Sequence, residues 1–435
     1  MPSVVEELVH RHPVAHDQAV FLQHDVGAKD GDGHKEKGPD RDGDVLADGR
    51  CSGGCGDRSH VCKCSIKLVK GGRQQVFWLP EFPGHSGEDR AGLAPASPCY
   101  PGEATTAGVG ATLMYNTCVL MAATSVHPFR FGVQCSSPPN VTATSWRELA
   151  RRTEDLGYHR LTVSDHLDDQ LAPVAALMAA ANATTTLRLG VLVFCNDYRH
   201  PAVLAKEAAT LDILSDGRFE LGLGAGWMTT DYERAGIAMD RPGVRIQRLE
   251  EAVHVVRGLL SEGPCTFRGE HYQIDGLAGS PKPIQQPLPL LIGGGGQKVL
   301  ELAGRHADII GLNPALPNGV IDASAGPDAT AAATERKIGW IREAAGARFA
   351  DIELHTRIHL ALITDDRMGM AEAIAPSMGL TVAESLETPH ALCGSVDQIV
   401  DDLIERRERF GISSIGLSLD AMDAFAPVVA RLEGR

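Results

Sequence analysis

The side chains best suited to acid–base chemistry follow an apolar run that ends at Val163. Ser164, Asp165 and His166 come next, so a carboxylate stands beside an imidazole at the end of a predicted strand. Imidazole exchanges protons near neutral pH, and a neighbouring carboxylate can orient it. We therefore predict that His166 and Asp165 are catalytic, with a simple polar strand end as the alternative.

A run of polar residues follows a second apolar segment, residues 187–194. It includes Asn196 and ends with Arg199 and His200, immediately before a predicted helix. Helix N-termini attract anions because their first amide groups have no partner within the helix. Arg199 and His200 are therefore candidates to hold an anion, with an ion pair between Arg199 and a nearby acid as the alternative.

Alternating glycines follow a third apolar segment. Gly222, Gly224 and Gly226 precede Trp227, and they remove side chains where a flat or bulky group can approach the backbone. The spacing does not fit a dinucleotide-binding fingerprint, because the third glycine comes one residue early and no helix follows directly. We therefore predict a ligand-facing strand end and not a Rossmann fold.

Four consecutive glycines lie between a predicted strand and a predicted helix: Gly293, Gly294, Gly295 and Gly296. Glycines allow successive amide groups to point toward one site, and the helix N-terminus adds its dipole. This order predicts a phosphate-binding loop, with an ordinary tight turn as the alternative.

A repeated strand–helix pattern must position these residues. The predicted strands span residues 130–135, 160–164, 187–194, 218–223, 288–292, 308–312, 353–363 and 413–419. The predicted helices span residues 145–158, 173–184, 201–214, 245–260, 297–306, 331–344 and 396–409. Strands that are apolar on both faces and alternate with helices favour a closed (β/α)₈ TIM barrel, with an open doubly wound sheet as the alternative.

Reactive groups of a TIM barrel lie at the carboxyl ends of its strands, where all the residues above are placed. The glycine- and proline-rich residues 263–287 form an insertion, and residues 319–328 are predicted to form a flexible loop on the same face. Thr144 or Ser145 is predicted to cap the first helix, with Glu148 at capping-box spacing from Ser145.

Residues 1–120 lack this pattern. Residues 27–50 contain hardly any apolar side chain and cannot offset the entropy of ordering. We predict an irregular or disordered extension over residues 1–120, either a start site placed too early or a lineage-specific addition. The enzyme domain is predicted over residues 121–435.

Composition narrows the possible partners. The net charge of −15 over 435 residues argues against a general binder of nucleic acids or anionic membranes, since both repel an acidic protein. No apolar run approaches membrane-spanning length, and the N-terminus shows no signal-peptide pattern. We expect a cytoplasmic enzyme with a small-molecule substrate, and neither a nucleic-acid nor a membrane partner.

Eight of the ten cysteines fall into two groups. Four are scattered singly, as expected for buried reduced thiols: Cys135, Cys195, Cys265 and Cys393. Four others cluster with gaps that do not match the paired spacing of a zinc site: Cys51, Cys55, Cys62 and Cys64. No metal site is predicted.

Several motifs together resemble a known family. They are YRHPAVLAKE at residues 198–207, LDILSDGR at 211–218, GLGAGW at 222–227, RFGVQ at 130–134, SDHL at 164–167 and PKPIQQP at 281–287. With the glycine loop, these motifs resemble the luciferase-like monooxygenase superfamily, and within it the actinobacterial oxidoreductases that use the deazaflavin coenzyme F420. The likeness covers residues 129–419.

The resemblance implies where a coenzyme binds. Its ring would lie across the carboxyl ends of the strands, with its phosphate on the amides of Gly294, Gly295 and Gly296. The family carries a bulge with a non-prolyl cis peptide on its third strand, which here falls at Leu192–Val193. The coenzyme site is predicted to consist of Leu192, Val193, Asn196, Gly224, Gly226 and the glycine loop Gly293 to Gly296.

The resemblance also implies an activity. His166 matches the position that serves as proton donor or as ring and substrate contact in several deazaflavin enzymes. Trp227 stands where sugar-phosphate dehydrogenases of the group have a glutamate, which favours a flat or apolar substrate. We expect hydride transfer between reduced F420 and an unsaturated or carbonyl-containing small molecule, in a homodimer. The alternatives are an FMN-dependent monooxygenase supplied with reduced flavin by a partner reductase, and a non-catalytic F420-binding protein.

Overall fold

A computed structural model describes residues 66–70, 73–77, 127–136, 140–316, 319 and 322–435. The chain divides into two units, one formed by Gln23–Cys118 and the other by Met1–Leu22 with Val119–Arg435. In the first unit, Ile66–Lys70 and Arg73–Phe77 pair as an antiparallel hairpin. This hairpin is a regular element within the extension predicted to be irregular; the rest of residues 1–120 lies outside the described residues.

In the second unit, eight described parallel strands close into a barrel. They are β1 (Arg130–Cys135), β2 (Arg160–Val163), β3 (Arg188–Val191), β4 (Phe219–Gly224), β5 (Leu290–Gly294), β6 (Ile309–Leu312), β7 (Glu353–Arg357) and β8 (Ile412–Ser418). Each strand pairs with its successor, and β8 pairs with β1. The predicted TIM barrel is confirmed, and the open-sheet alternative is wrong.

A helix follows each strand on the outside. These helices are α1 (Ala143–Asp155), α2 (Pro173–Ala181), α3 (Pro201–Leu214), α4 (Pro242–Leu260), α5 (Gln297–His306), α6 (Ala331–Ala345), α7 (Val396–Phe410) and α8 (Met422–Leu432). Short additional helices are Thr229–Ala235, Gly326–Ala329, Arg367–Ile374 and Val382–Glu387. Helix α8 was not predicted, although Met422, Phe425, Val429 and Leu432 form a buried helical stripe.

Helix α1 begins earlier than predicted. Its N-cap is Thr142, whose hydroxyl accepts from the Ser145 amide at 3.1 Å while the Ser145 hydroxyl accepts from the Thr142 amide at 2.9 Å. The prediction of Thr144 or Ser145 as the cap, with Glu148 completing the box, was therefore wrong. This earlier start places Ser145 at the third helical position and leaves Trp146 on the buried face.

The predicted strand over residues 353–363 is two strands. The Ile358 amide still donates to Gly416 of β8, but the next amide, that of His359, donates to the carbonyl of His390. The following strand, Leu360–Ile363, pairs in parallel with Ala391–Gly394 outside the barrel. The change of hydrogen-bond partner ends β7 at the carboxyl-end face of the barrel.

Two predicted loops also contain regular structure. Residues 263–287 include an antiparallel hairpin, Cys265–Arg268 with Gln273–Leu277. The described part of residues 319–328 includes the start of the short helix Gly326–Ala329, which the flexible-loop prediction missed.

An ion-pair network fills the amino-end base of the barrel. Arg160 contacts Glu220 at 2.6 Å and Glu353 at 3.1 Å, and Arg130 contacts Glu353 at 2.6 Å. Burial alone would raise the pKa of Glu353, but the two guanidinium groups outweigh it and lower that pKa to about 2. The network joins β1, β2, β4 and β7, and every one of its buried charges has an opposite partner.

The four cysteines predicted as buried thiols, Cys135, Cys195, Cys265 and Cys393, are free and buried. Among the helices of the described residues, none is both long enough and apolar enough to cross a lipid bilayer.

Candidate active site

His166 lies just beyond β2, at the carboxyl-end face of the barrel, which we call the barrel mouth. Its Nδ1 is 2.7 Å from Oδ2 of Asp231, a buried residue of the short helix that follows β4. Tyr198 donates its hydroxyl to the same carboxylate oxygen at 3.1 Å. Within the described part of the chain, no hydrogen bond forms at Nε2 of His166, so this atom is left for a ligand.

Asp165 does not orient His166 as predicted. Its carboxylate accepts two hydrogen bonds from Arg199, at 2.8 and 3.1 Å, and a third from the Cys195 amide at 3.0 Å. Asp165 therefore fastens the loop after β3 to the end of β2. The orienting carboxylate is Asp231, 65 residues away in the chain.

Arg199 and His200 are likewise engaged within the protein. Arg199 pairs with Asp165, and its guanidinium carbon lies 4.6 Å from the centre of the Phe194 ring. The Nδ1 atom of His200 accepts from the Ala202 amide at 3.2 Å and caps α3. The ion-pair alternative for Arg199 is confirmed, whereas anion binding by His200 stays a prediction.

A second buried network supports the loop after β3. Asp197 accepts from the Tyr232 hydroxyl at 3.0 Å and from Arg248 at 2.8 Å, and the Tyr232 hydroxyl is 3.3 Å from the sulfur of Cys195. Burial raises the pKa of Tyr232 and, to about 11, that of Cys195. Both groups therefore remain protonated at neutral pH and serve the structure of the loop.

The third strand carries the bulge that the sequence indicated. The Leu192–Val193 peptide is cis, and the chain rejoins β4 through Phe194 and Cys195. Gln134 of β1 donates from Nε2 to the Leu192 carbonyl at 3.3 Å. The bulge thus lies at the barrel mouth, where the Gln134 side chain binds it from β1, two strands away.

The alternating glycines make room for protein groups. A Cβ atom on Gly222 would lie 1.9 Å from the Val191 carbonyl oxygen, and one on Gly224 would lie 2.5 Å from the Val193 side chain. Gly226 has a φ of +75°, and a Cβ there would lie 1.9 Å from the Tyr232 hydroxyl. These glycines accommodate the bulge and Tyr232, and their contact with a coenzyme stays a prediction.

Trp227 lies beside the predicted proton donor. Its ring meets that of His166 edge-on, with centroids 5.6 Å apart and planes at 88°.

Asn196, in the loop after β3, is buried. Its Nδ2 donates to the Tyr272 hydroxyl at 3.3 Å, while its Oδ1 has no hydrogen-bond partner in the described residues. An unpartnered buried amide oxygen is a polar group available to a ligand.

The glycine loop is shorter than predicted. Gly293 and Gly294 belong to β5 and pair with β6, so they are ladder residues and not free turns. Gly295 is buried against the backbone of Asn313 and Ala315, whereas Gly296 is exposed and begins α5 without a side-chain cap. The free amide groups of this loop are therefore at the uncapped start of α5, after Gly296, and anion binding there stays a prediction.

A family model described as luciferase-like monooxygenase matches residues 121–414, which is more than half of the chain. The chain belongs to this family. The motifs at residues 164–167, 198–207, 211–218 and 222–227 were among the features from which the sequence indicated the same family.

Curated relatives support this membership over part of their length. An F420-dependent glucose-6-phosphate dehydrogenase of Amycolatopsis mediterranei is 32% identical over 169 residues, covering 37% of this chain and 50% of the relative. An FMNH₂-dependent dimethylsulfone monooxygenase of Pseudomonas fluorescens is 29% identical over 168 residues, covering 37% of this chain and 46% of the relative. The chain thus spans about half the length of the curated relatives it matches.

A solved structure shows the same fold. The coenzyme F420-dependent tetrahydromethanopterin reductase from Methanopyrus kandleri superposes with a TM-score of 0.57 and 19% identity, covering 71% of this chain and 100% of the other. Luciferase-like relatives of this chain are therefore oxidoreductases and monooxygenases that use F420 or reduced FMN.

One cluster of potential metal ligands lies away from this luciferase-like site. Ligand atoms of Glu250, His254 and His306 come within 4.8 Å of one another on α4 and α5. Arg305 already donates to Glu250 at 2.8 Å. The cluster is outside the barrel mouth, and a metal-free active site stays a prediction.

Sequence reasoning missed Asp231 and Tyr198. Asp231 comes four residues after Trp227, close to the strand end that the alternating glycines mark. An acid at that distance from a strand end could have been predicted as part of the site. Tyr198 stands in the polar run after the third strand, but its target was not predictable without the fold.

Proposed function

We propose that this chain is an F420-dependent oxidoreductase that transfers a hydride between reduced deazaflavin and an unsaturated or carbonyl-containing small molecule. The observation that carries the proposal is His166, held at the barrel mouth by Asp231 with its Nε2 free for a ligand. The F420-dependent relatives support the choice of coenzyme. The coenzyme supplies the hydride when it is bound.

The chain's own residues then manage the proton. With Asp231 accepting from Nδ1–H, the His166 ring is held in one orientation, and Nε2 is the atom that exchanges the proton with the substrate. When a hydride adds to a carbonyl carbon or to one carbon of a double bond, that proton goes to the oxygen or to the other carbon. His166 afterwards regains a proton from solvent.

The residues present fit a phosphate-bearing tricyclic coenzyme. The uncapped first amides of α5 suit a phosphate group. The unpartnered Oδ1 of Asn196 suits a donor on the coenzyme ring. We propose that Leu192, Val193 and Gly293 to Gly296 complete this coenzyme site.

Trp227 argues against a sugar phosphate as the substrate. The resemblance places a glutamate after the alternating glycines in the sugar-phosphate dehydrogenases, whereas this chain places an indole beside His166. We propose a flat substrate that packs on Trp227, a cytoplasmic location and a homodimer.

An FMN-dependent monooxygenase is the second candidate, because an FMNH₂-dependent relative matches nearly as well. Titration of the purified protein with F420 and with FMN, followed by absorbance, tests the choice. Saturable binding of F420 with none of FMN supports the proposal, and the reverse contradicts it. Tight F420 binding without oxidation of the reduced coenzyme by a broad panel of enones and ketones indicates a binding protein.

The role of His166 has its own test. His166→Ala should lower turnover about 100-fold and leave F420 affinity nearly unchanged. His254→Ala is the matched control, since His254 lies exposed on α4. Equal turnover in the two variants would remove His166 from the mechanism.

A further inference from the structure

Arg357, the last residue of β7, points into the barrel mouth. Side chains alternate along a strand, and the two preceding inward residues are fixed by contacts inside the barrel. Glu353 binds Arg160, and Nδ1 of His355 is 3.0 Å from the Ser414 hydroxyl of β8. Arg357 is next in this series, two residues closer to the mouth, and it contacts Ser418 at the end of β8.

The guanidinium of Arg357 has almost no acceptor. Its one hydrogen bond within the described residues runs from Nη2 to the Ser418 hydroxyl at 3.3 Å, and its buried Nε has no partner there. None of the carboxylates described in the structure lies within ion-pair distance of it. A buried cation normally has a charged or carbonyl partner, so this group is incomplete as it stands.

Other enclosed arginines show the contrast. Arg160 at the base of the barrel has two carboxylates, and Arg406 donates to the carbonyls of Ala391 and Leu386. Burial lowers the pKa of Arg357, and only the charge of Asp420, an exposed residue, opposes this. Its positive charge is thus left largely uncompensated by the protein.

The groups around Arg357 are neutral and polar. Burial lowers the pKa of His355 and of His359 to about 3, and the charge of Arg357 adds to this effect in both, so both rings are neutral at physiological pH. Ser418 is in register with Gln134 of β1. The Nε2 atom of Gln134 donates to the Leu192 carbonyl in the bulge, and its Oε1 has no hydrogen-bond partner in the described residues. Neutral polar groups therefore extend from the guanidinium through Ser418 and Gln134 to the bulge at Leu192.

These groups lie on the same face of the barrel as His166. Strands β8 and β1 separate β7, which ends at Arg357, from β2, and neighbouring strands are about 4.8 Å apart, so the two strand ends are roughly 14 Å apart along the sheet. Because the Arg357 side chain extends into the barrel mouth, a small molecule of ordinary size can reach from its guanidinium to His166.

We propose that Arg357, with Ser418, is a carboxylate-binding subsite, and that the substrates are unsaturated or carbonyl-containing organic acids. The planar fork of a guanidinium matches a carboxylate through two parallel hydrogen bonds. A single arginine among neutral groups balances one negative charge, which suits a carboxylate better than a phosphate dianion. The substrate class rests on the proposed function, whereas the anion subsite does not.

Calorimetric titration of the full chain with benzoate, benzamide and inorganic phosphate tests the subsite without turnover. Benzoate should bind at least tenfold more tightly than benzamide, Arg357→Gln should abolish this preference, and Arg357→Lys should keep part of it. Arg409→Gln, which alters a partly exposed arginine on α7, should bind benzoate like the parent protein. Equal binding of benzoate and benzamide, retention of the preference by Arg357→Gln, or tighter binding of phosphate would each overturn the proposal.

Thermal melting separates this role from a structural one. Because the Ser418 hydroxyl is the one acceptor of Arg357 among the described residues, the Arg357→Gln protein without ligand should have the same melting temperature as the parent protein or a higher one. A clearly lower melting temperature would show that the guanidinium stabilises the fold, against the proposal. Since benzoate binding needs no coenzyme, failure of F420 binding with intact benzoate preference would refute the proposed function alone.

Discussion

Replacing Asp231 with asparagine removes the charge that faces His166 and keeps the shape of the side chain. Asp231 accepts from His166 Nδ1 at 2.7 Å and from the Tyr198 hydroxyl at 3.1 Å, and it is buried. Both contacts are made by the same oxygen, Oδ2, whereas Oδ1 lies 3.4 Å from the Leu167 amide. An asparagine that keeps its carbonyl toward His166 and Tyr198 loses the charge and turns its amide group toward the Leu167 amide. The reverse orientation presents a donor to Nδ1 and leaves the Tyr198 hydroxyl without its acceptor, so either arrangement weakens the hold on the His166 ring.

The size of the effect follows from the hydrogen bond that is lost. A hydrogen bond to a charged group contributes about 1.5–3 kcal/mol, and about 1.4 kcal/mol corresponds to a tenfold change in rate. Asp231→Asn should therefore lower kcat by about 10- to 150-fold. Tyr198→Phe leaves the contact between Asp231 and His166 in place, so its effect should stay below about tenfold.

The assay is oxidation of reduced F420 with the best acceptor from the substrate panel, together with F420 titration. Coenzyme affinity should change by less than about twofold, because Asp231 makes none of the contacts proposed for the coenzyme. Asp423→Asn is the control, since Asp423 is an exposed acid paired with Arg152. A kcat for Asp231→Asn within twofold of the control would refute the assignment of Asp231 as the residue that positions His166.

Three further predictions concern stability and domain limits. Gly226→Ala should lower the free energy of unfolding by about 2–4 kcal/mol, and the control Gly236→Ala should lower it by about 1 kcal/mol. Both glycines have positive φ, but only Gly226 faces Tyr232. Equal urea midpoints for the two variants would contradict this prediction. Burial raises the pKa of Glu433 from 4.5 to about 7, so the folded state binds the extra proton and stability should fall as pH rises through this window. The melting temperature of Glu433→Gln should therefore exceed that of the parent by a margin that grows from pH 5 to 8, and a constant margin would contradict it. A chain beginning at Met121 should fold and bind F420 like the full chain, and its aggregation would contradict the predicted domain boundary.

The barrel was predictable because burial on both faces is visible in the sequence. Segments such as Leu189 to Val191 and Ile309 to Leu312 are apolar without alternation, which only a covered parallel sheet explains. The break after Arg357 was not predictable, because apolar residues continue through Ile363 and the change of pairing depends on His390, far along the chain.

The candidate site was predicted in position but not in its contacts. Chain proximity suggested Asp165 as the partner of His166, but adjacent side chains on an extended chain point to opposite sides. The acid that reaches His166 comes from another strand end, and Asp165 instead faces Arg199. Pairings of this kind depend on which strand ends are neighbours, and this is known only once the fold is known.

The short helix that carries Asp231 has a consequence for redesign of the enzyme. Thr229–Ala235 supplies both the acid behind His166 and, through Tyr232, the anchor of the loop after β3. Laboratory evolution that reshapes this helix to admit a new substrate should therefore also alter the proton delivery that we propose for His166. Randomisation limited to the ends of β7 and β8 should vary the proposed carboxylate subsite and leave the contact between Asp231 and His166 in place.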